Sequence, residues 1–169
     1  DSRAAASIVQ HPGAAPGMIE LRLAVPGAPL ALADVLPLFE SLGLRALEEV
    51  PARLSPAGGE VALHVFRLDS LGEYDSEEGP ALLEALDALM AGRAEADGFN
   101  RLVLRAGLSW RECWLLRAMF KWLKQVGMAF SAETVTAALA AEPAAARLLV
   151  GLFRARFEPD AKAEEAALE

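Results

Sequence analysis

Apolar and polar positions alternate cleanly in the stretch MIELRLAVP. Ile19, Leu21 and Leu23 fall on one face, and Glu20 and Arg22 on the other. A period of two marks a half-buried strand, predicted over Met18–Val25. The pattern then changes period. In ALADVLPLFESLGL, residues Leu32, Val35, Leu36, Phe39 and Leu42 recur at helical spacing, and Gly43 stands where a C-cap belongs. Pro37 interrupts that helix unless it begins near Asp34, which would leave the proline in a first turn whose N–H groups are unpaired anyway. LRALEEVPARLS reads as a second strand, and Pro51 within it points to a sheet edge. EVALHVFRLDS is apolar on both parities apart from His64 and Arg67, as expected of a central strand. Leu82, Leu83, Leu86, Leu89 and Met90 form the stripe of a second helix that Gly92 ends.

Strand, helix, strand, strand, helix is most of a split β-α-β, ferredoxin-like layout. Its fourth strand would have to come from NRLVLRAG. Phe99, Leu102, Val103 and Ala106 share a helical face there and Gly107 closes it, so helix is the better reading. The expectation is an α+β module over 18–92 with three or four strands, its first strand bare on one side if there are three.

The remainder reads as helix. SWRE is a capping box, Ser109 with Glu112, opening a helix over about Trp110–Val126. Ser131, with Glu133 in the first turn, caps another. Pro143 opens a last helix reaching about Phe157. These make a helical segment over 93–159. The Ala-, Ser-, Gly- and Pro-rich residues 1–17 read as a linker or loose leader. Residues 160–169 read as a tail, with Leu168-Glu169 as a cloning remnant. The missing initiator Met suggests a fragment.

All three tryptophans and a run of cations lie within Glu95–Ser131. On a helical projection from Trp110, residues Leu115, Leu116, Met119, Trp122, Leu123 and Val126 fill a broad face expected to be core. Trp110, Trp114, Arg117, Lys121 and Lys124 share the other side, with Arg111 at the margin. Such a face suits base stacking, docking through Trp and Arg anchors, or packing under neighbouring helices.

Composition narrows these choices. The 169 residues carry a net charge of −8 and a pI near 4.9, against a nucleic-acid partner, which needs a basic surface. At 54% hydrophobic residues there is ample material for a core. No apolar run reaches the roughly 20 residues of a membrane span, and no signal peptide begins the chain. The single cysteine, Cys113, lies in an apolar helical pattern and reads as a buried thiol. His11 and His64 are isolated, and the Glu48-Glu49, Glu77-Glu78 and Glu164-Glu165 pairs are not clustered with other metal ligands. Nucleotide-binding glycine motifs, HExxH and GxSxG are absent from the sequence.

Two stretches carry a resemblance. ADGFNRLVLRAGLSWRECWLLRAMFKWLKQVGMAFS, followed by LLVGLFRARFEP, resembles the region that precedes the catalytic core of the large bacterial NAD-dependent glutamate dehydrogenases. PLALADVLPLFESLGLRALEEVPARL, continued by VALHVFRL, resembles the third ACT-like regulatory module of that family. The resemblance spans about Met18–Pro159. It implies a cytoplasmic oligomeric parent enzyme of glutamate catabolism, an oxidoreductase that converts glutamate to 2-oxoglutarate and ammonium with NAD. The catalytic positions lie beyond this chain, which is therefore expected to hold no catalytic, cofactor or metal residues and to be inactive alone. Its implied partners are other domains of the same chain, neighbouring subunits and an amino-acid effector. ACT-like modules take such effectors at the loop between first strand and first helix, here Val25–Asp34, which singles out Gly27, Ala28 and Asp34. A freestanding amino-acid-sensing module is the alternative.

Overall fold

The computed structural model describes residues 4–9, 15–56, 59–71, 74 and 76–157. His11 and the expected tail lie outside them. A four-stranded antiparallel sheet is built from β1 (Ala5–Val9), β2 (Met18–Pro26), β3 (Arg45–Leu54) and β4 (Val61–Asp69), in the order β1-β2-β4-β3. Helices α1 (Leu32–Ser41) and α2 (Gly79–Met90) cover one face. A 3-10 turn, Gly98–Arg101, then leads through α3 (Leu102–Ala106), α4 (Trp110–Gln125) and α5 (Ala132–Ala141) to α6 (Pro143–Phe157).

The sheet has its fourth strand, and it comes from the stretch read as a leader. Ala5 pairs with Ala24 and Val9 with Glu20, so β1 occupies the edge of β2 that a three-stranded sheet would leave bare. The signal was weak because AASIV is short and small, and of its side chains only Ile8 packs on the core. Residues 98–106 are helical, as read, and not a strand. Pro51 does lie on an edge strand, and β4 is central. A bulge between Ala46 and Glu48 shifts the register of β3.

Alternation sorts the side chains. Ile19, Leu21 and Leu23 of β2 and Ala62, His64, Phe66 and Leu68 of β4 are buried under the helices. Phe39 of α1 meets Phe66 edge to face, ring centroids 4.9 Å apart. Helix α1 starts at Leu32, earlier than the start at Asp34 that would have excused Pro37. The proline therefore lies inside the helix and forfeits the bond to the Ala33 carbonyl. Both residues are exposed, so water can replace that donor. The helix ends in a Schellman arrangement: Gly43 N–H donates to Glu40 O (3.0 Å) and Leu44 N–H to Phe39 O (2.9 Å). Gly43 supplies the required positive φ of 81°.

One apolar cluster joins the two halves of the chain. Val35, Phe39, Leu82 and Leu86 of the sheet module are continuous with Phe99, Leu102, Cys113, Leu116 and Val150 of the helical segment. The opposite face of the sheet is uncovered among the described residues, and carries Val50 and Leu54 beside the Arg22–Glu20 and Arg67–Glu48 pairs.

Candidate functional site

Helix α4 opens with the predicted capping box. Ser109 Oγ accepts from Glu112 N–H (3.3 Å), and Glu112 Oε2 accepts from Ser109 N–H (2.7 Å). This fixes the entry of the helix, and its first turns lie against α2 and the 3-10 turn. Trp110 is held there. Its indole N–H donates to Glu84 of α2 at 3.1 Å, and the guanidinium carbons of Arg111 and Arg93 stand 4.5 and 5.6 Å from its ring. Arg93 in turn pairs with Asp87. Trp110 is thus an internal tie between α4 and α2.

Arg117, one of the predicted docking residues, is buried, with 2% of its surface exposed. Its Nε and Nη2 donate to the two oxygens of Asp97 at 2.6 and 2.7 Å, the bidentate fork that guanidinium favours. Nη2 also donates to Asn100 Oδ1 (2.9 Å) and Glu95 O (3.2 Å). Asp97 accepts in addition from Phe99 N–H at 3.0 Å, capping the 3-10 turn. Asn100 extends the network into the sheet module by donating to Ser41 Oγ of α1 at 3.3 Å. The polar thread therefore runs from α4 through the 3-10 turn to α1, buried at Arg117, Asn100 and Ser41 and partly open to solvent at Asp97. Buried polar groups in such a network fix one relative orientation, because slippage would leave donors and acceptors unpaired. Nη1 of Arg117 has no hydrogen-bond partner among the described residues, and Cζ lies 5.7 Å from the Phe99 ring.

Beside this network sits Cys113, fully buried. Burial pushes its thiol up to about 12, against the opposing pull of the Arg117 charge, so it stays protonated and is no nucleophile. His64 is a satisfied core histidine. Nε2 accepts from Leu30 N–H at 3.1 Å, so Nδ1 carries the proton and donates to Glu49 Oε1 at 2.9 Å. The side chain thereby ties the loop before α1 to β4 and β3. In that loop Gly27 adopts φ 83° and donates its N–H to Glu60 O at 2.9 Å. The loop's amides of Gly27 and Leu30 are therefore committed to the protein's own groups, as is that of Asp34, which donates to Ala31 O at 3.0 Å. Ala28 and Asp34 are exposed. No group of three or more His, Cys, Asp or Glu side chains is placed for a metal ion among the described residues.

The glutamate dehydrogenase ACT3 domain matches residues 3–79, and helical motif 3 of glutamate dehydrogenase matches residues 94–159. The chain belongs to the glutamate dehydrogenase family. It is similar to the NAD-specific glutamate dehydrogenase of Halomonas elongata, 37% identical over 155 residues, covering 89% of this chain and 10% of that protein. The Pseudomonas aeruginosa and Mycobacterium tuberculosis enzymes of the same name are 44% and 36% identical over 133 and 152 residues. Those matches cover 76% and 85% of this chain, and 8% and 9% of the relatives. The chain thus spans about a tenth of the length of the relatives it matches.

In this glutamate dehydrogenase segment the ACT3 sheet and helical motif 3 share one core, and the predicted docking residues divide. Arg117 and Trp110 belong to the internal seam. Lys121 pairs with Glu95 at 2.6 Å, and Lys124 reaches the Met128 carbonyl at 3.0 Å. Trp114 remains exposed. Conversely, Trp122, Leu123 and Val126, read as core, lie on the surface, Trp122 61% exposed. The helical wheel could not locate where along α4 the packing stops. Buried residues end at Arg117, while Phe120 touches the core from its margin, its ring 5.7 Å from that of Phe99. Phe130 beyond α4, and Leu148, Leu152 and Phe157 of α6, are also exposed. No single helix among the described residues is long and apolar enough to cross a membrane.

Proposed function

We propose that this segment is an architectural and regulatory coupler within a much larger NAD-dependent glutamate dehydrogenase, and that it carries none of the chemistry itself. The supporting observation is a contrast. The seam between ACT3 and helical motif 3 is closed by a buried polar network, whereas Trp122, Val126 and Phe130 are left on the surface. Exposed aromatic and aliphatic side chains in such number suit burial against another part of the protein. Flanking domains of the same long chain are the natural occupants, since this segment is about a tenth of its relatives' length. In this reading the parent oxidises glutamate with NAD in the cytoplasm, and the coupler sets the relative placement of domains or subunits. An effector that favours one placement would bias catalysis by its difference in affinity. The loop Gly27, Ala28 and Asp34 would take such an amino acid only through groups other than the amides of Gly27, Leu30 and Asp34, which Glu60, His64 and Ala31 already hold.

The test is to mix the purified chain with glutamate and NAD and follow NADH absorbance. No turnover is expected, and turnover above background would refute the reading.

A further inference from the structure

The core-facing row of β4 is Ala62, His64, Phe66 and Leu68, and the histidine is buried like its neighbours. Its ring lies nearly parallel to that of Phe66, with centroids 6.0 Å apart. Both ring nitrogens are used, and for opposite purposes. Nε2 accepts from Leu30 N–H at 3.1 Å, and Nδ1 meets Glu49 Oε1 at 2.9 Å. An amide N–H can only donate, so the bond to Leu30 exists only while Nε2 carries no proton. The ring is thereby held as the neutral Nδ1–H tautomer.

Glu49 of β3 is the one charged group in contact with the ring among the described residues. The residues paired with His64 on the two neighbouring strands, Leu23 and Pro51, are uncharged. Asp34 of α1 and Glu60 before β4, the acids that flank the loop, are exposed. The loop itself is surface: Pro26, Gly27, Ala28 and Pro29 are exposed, and Leu30 is half-buried against the core. A second proton on His64 would set N–H against N–H at Nε2, while the imidazolium would bind the Glu49 carboxylate more strongly. The ring is fixed by Glu49 on one side and packed beside Phe66, so the exposed loop is the part with room to yield.

We propose that His64 is a proton-operated latch. Neutral, it holds Leu30 and the loop before α1 against the sheet; with a second proton it keeps Glu49 and lets Leu30 go. Proton uptake and release of the Leu30 N–H are then one event. By linkage, an acceptor that captures that N–H favours protonation of the ring by the same free energy.

Nuclear magnetic resonance of the isotope-labelled chain, from about pH 8 to about pH 5, reads both halves of this coupling. The ring nitrogens report the tautomer and charge of His64. Amide hydrogen exchange, corrected for its intrinsic pH dependence, reports Leu30. At the upper pH the Nδ1–H tautomer and a protected Leu30 amide are expected. As His64 takes its second proton, Leu30 protection should fall about tenfold with the same midpoint, while the Gly27 amide, bonded to Glu60 O, keeps its protection. Glu49→Gln leaves Nδ1–H an acceptor but removes the counter-charge, so release should move to lower pH. The proposal is overturned if the ring is the Nε2–H tautomer, if it stays neutral over this range, or if Leu30 keeps its protection once the ring is charged. Loss of Gly27 protection in parallel, or an unmoved midpoint in Glu49→Gln, would overturn it equally.

Discussion

Replacing Arg117 with alanine tests the seam where the structure makes it most specific. The substitution removes two charge-assisted bonds to Asp97, at 2.6 and 2.7 Å, and the donors to Asn100 Oδ1 and Glu95 O. Breaking a buried ion pair from one side costs roughly 3–5 kcal/mol, because the other charge is left behind. Here the stranded partner is Asp97, whose side chain is 35% exposed, so water can reclaim its carboxylate. That places the expected loss near the lower bound, about 3 kcal/mol. Arg117→Lys keeps the charge but not the fork, and should recover only part of it. Asp97→Ala should also cost stability, about 1 kcal/mol of it from the lost cap of the 3-10 turn. Urea unfolding followed by tryptophan fluorescence reads all four proteins of the double-mutant cycle, since every tryptophan lies in α4. A coupling energy of about 1–3 kcal/mol is expected between Arg117 and Asp97. A loss below about 1 kcal/mol for Arg117→Ala, the range of an exposed pair, or strict additivity with Asp97→Ala, would refute the argument.

Three further outcomes follow from the same packing. The Cys113 thiol is raised from 9.0 to about 12 by burial, so the unfolded chain ionises first as pH rises and stability falls above pH 9. Between pH 8 and 10 the native protein should lose about 1.4 kcal/mol more than Cys113→Ala; parallel pH profiles would show that burial is not what holds the proton. Gly43→Ala, at φ 81°, should cost about 1 kcal/mol by urea titration, and an unchanged midpoint would deny the left-handed cap. Removing residues 1–9 should leave the β2 edge unpaired and convert the chain to larger species by light scattering; a monomer of unchanged melting temperature would show that β1 is dispensable.

Much of this architecture is readable from periodicity. Ile19, Leu21 and Leu23, the Ser109–Glu112 box and the stop at Gly43 each carry a local signal that packing then reinforces, so sequence and structure agree there. Strand β1 escaped because its identity comes from its partner: AASIV has no alternation of its own, and pairing with β2 makes it a strand. The face of α4 was misjudged for a related reason. A helical wheel gives angle but not depth, and Trp122 and Val126 share the angular position of core residues beyond the point where neighbouring helices cover α4. Arg117 was hidden by its charge. Asp97 and Asn100, 20 and 17 residues back in the chain, surround it only once the chain is folded.

The account rests on the exposed surface of α4 being an internal interface of the parent enzyme. Trp122→Glu combined with Val126→Glu should leave the isolated segment folded, since both side chains face solvent here. Placed in the full-length parent, the pair is predicted to disrupt assembly by analytical ultracentrifugation and to abolish most glutamate-dependent NADH formation. A full-length variant that assembles normally and keeps its full rate would contradict the account.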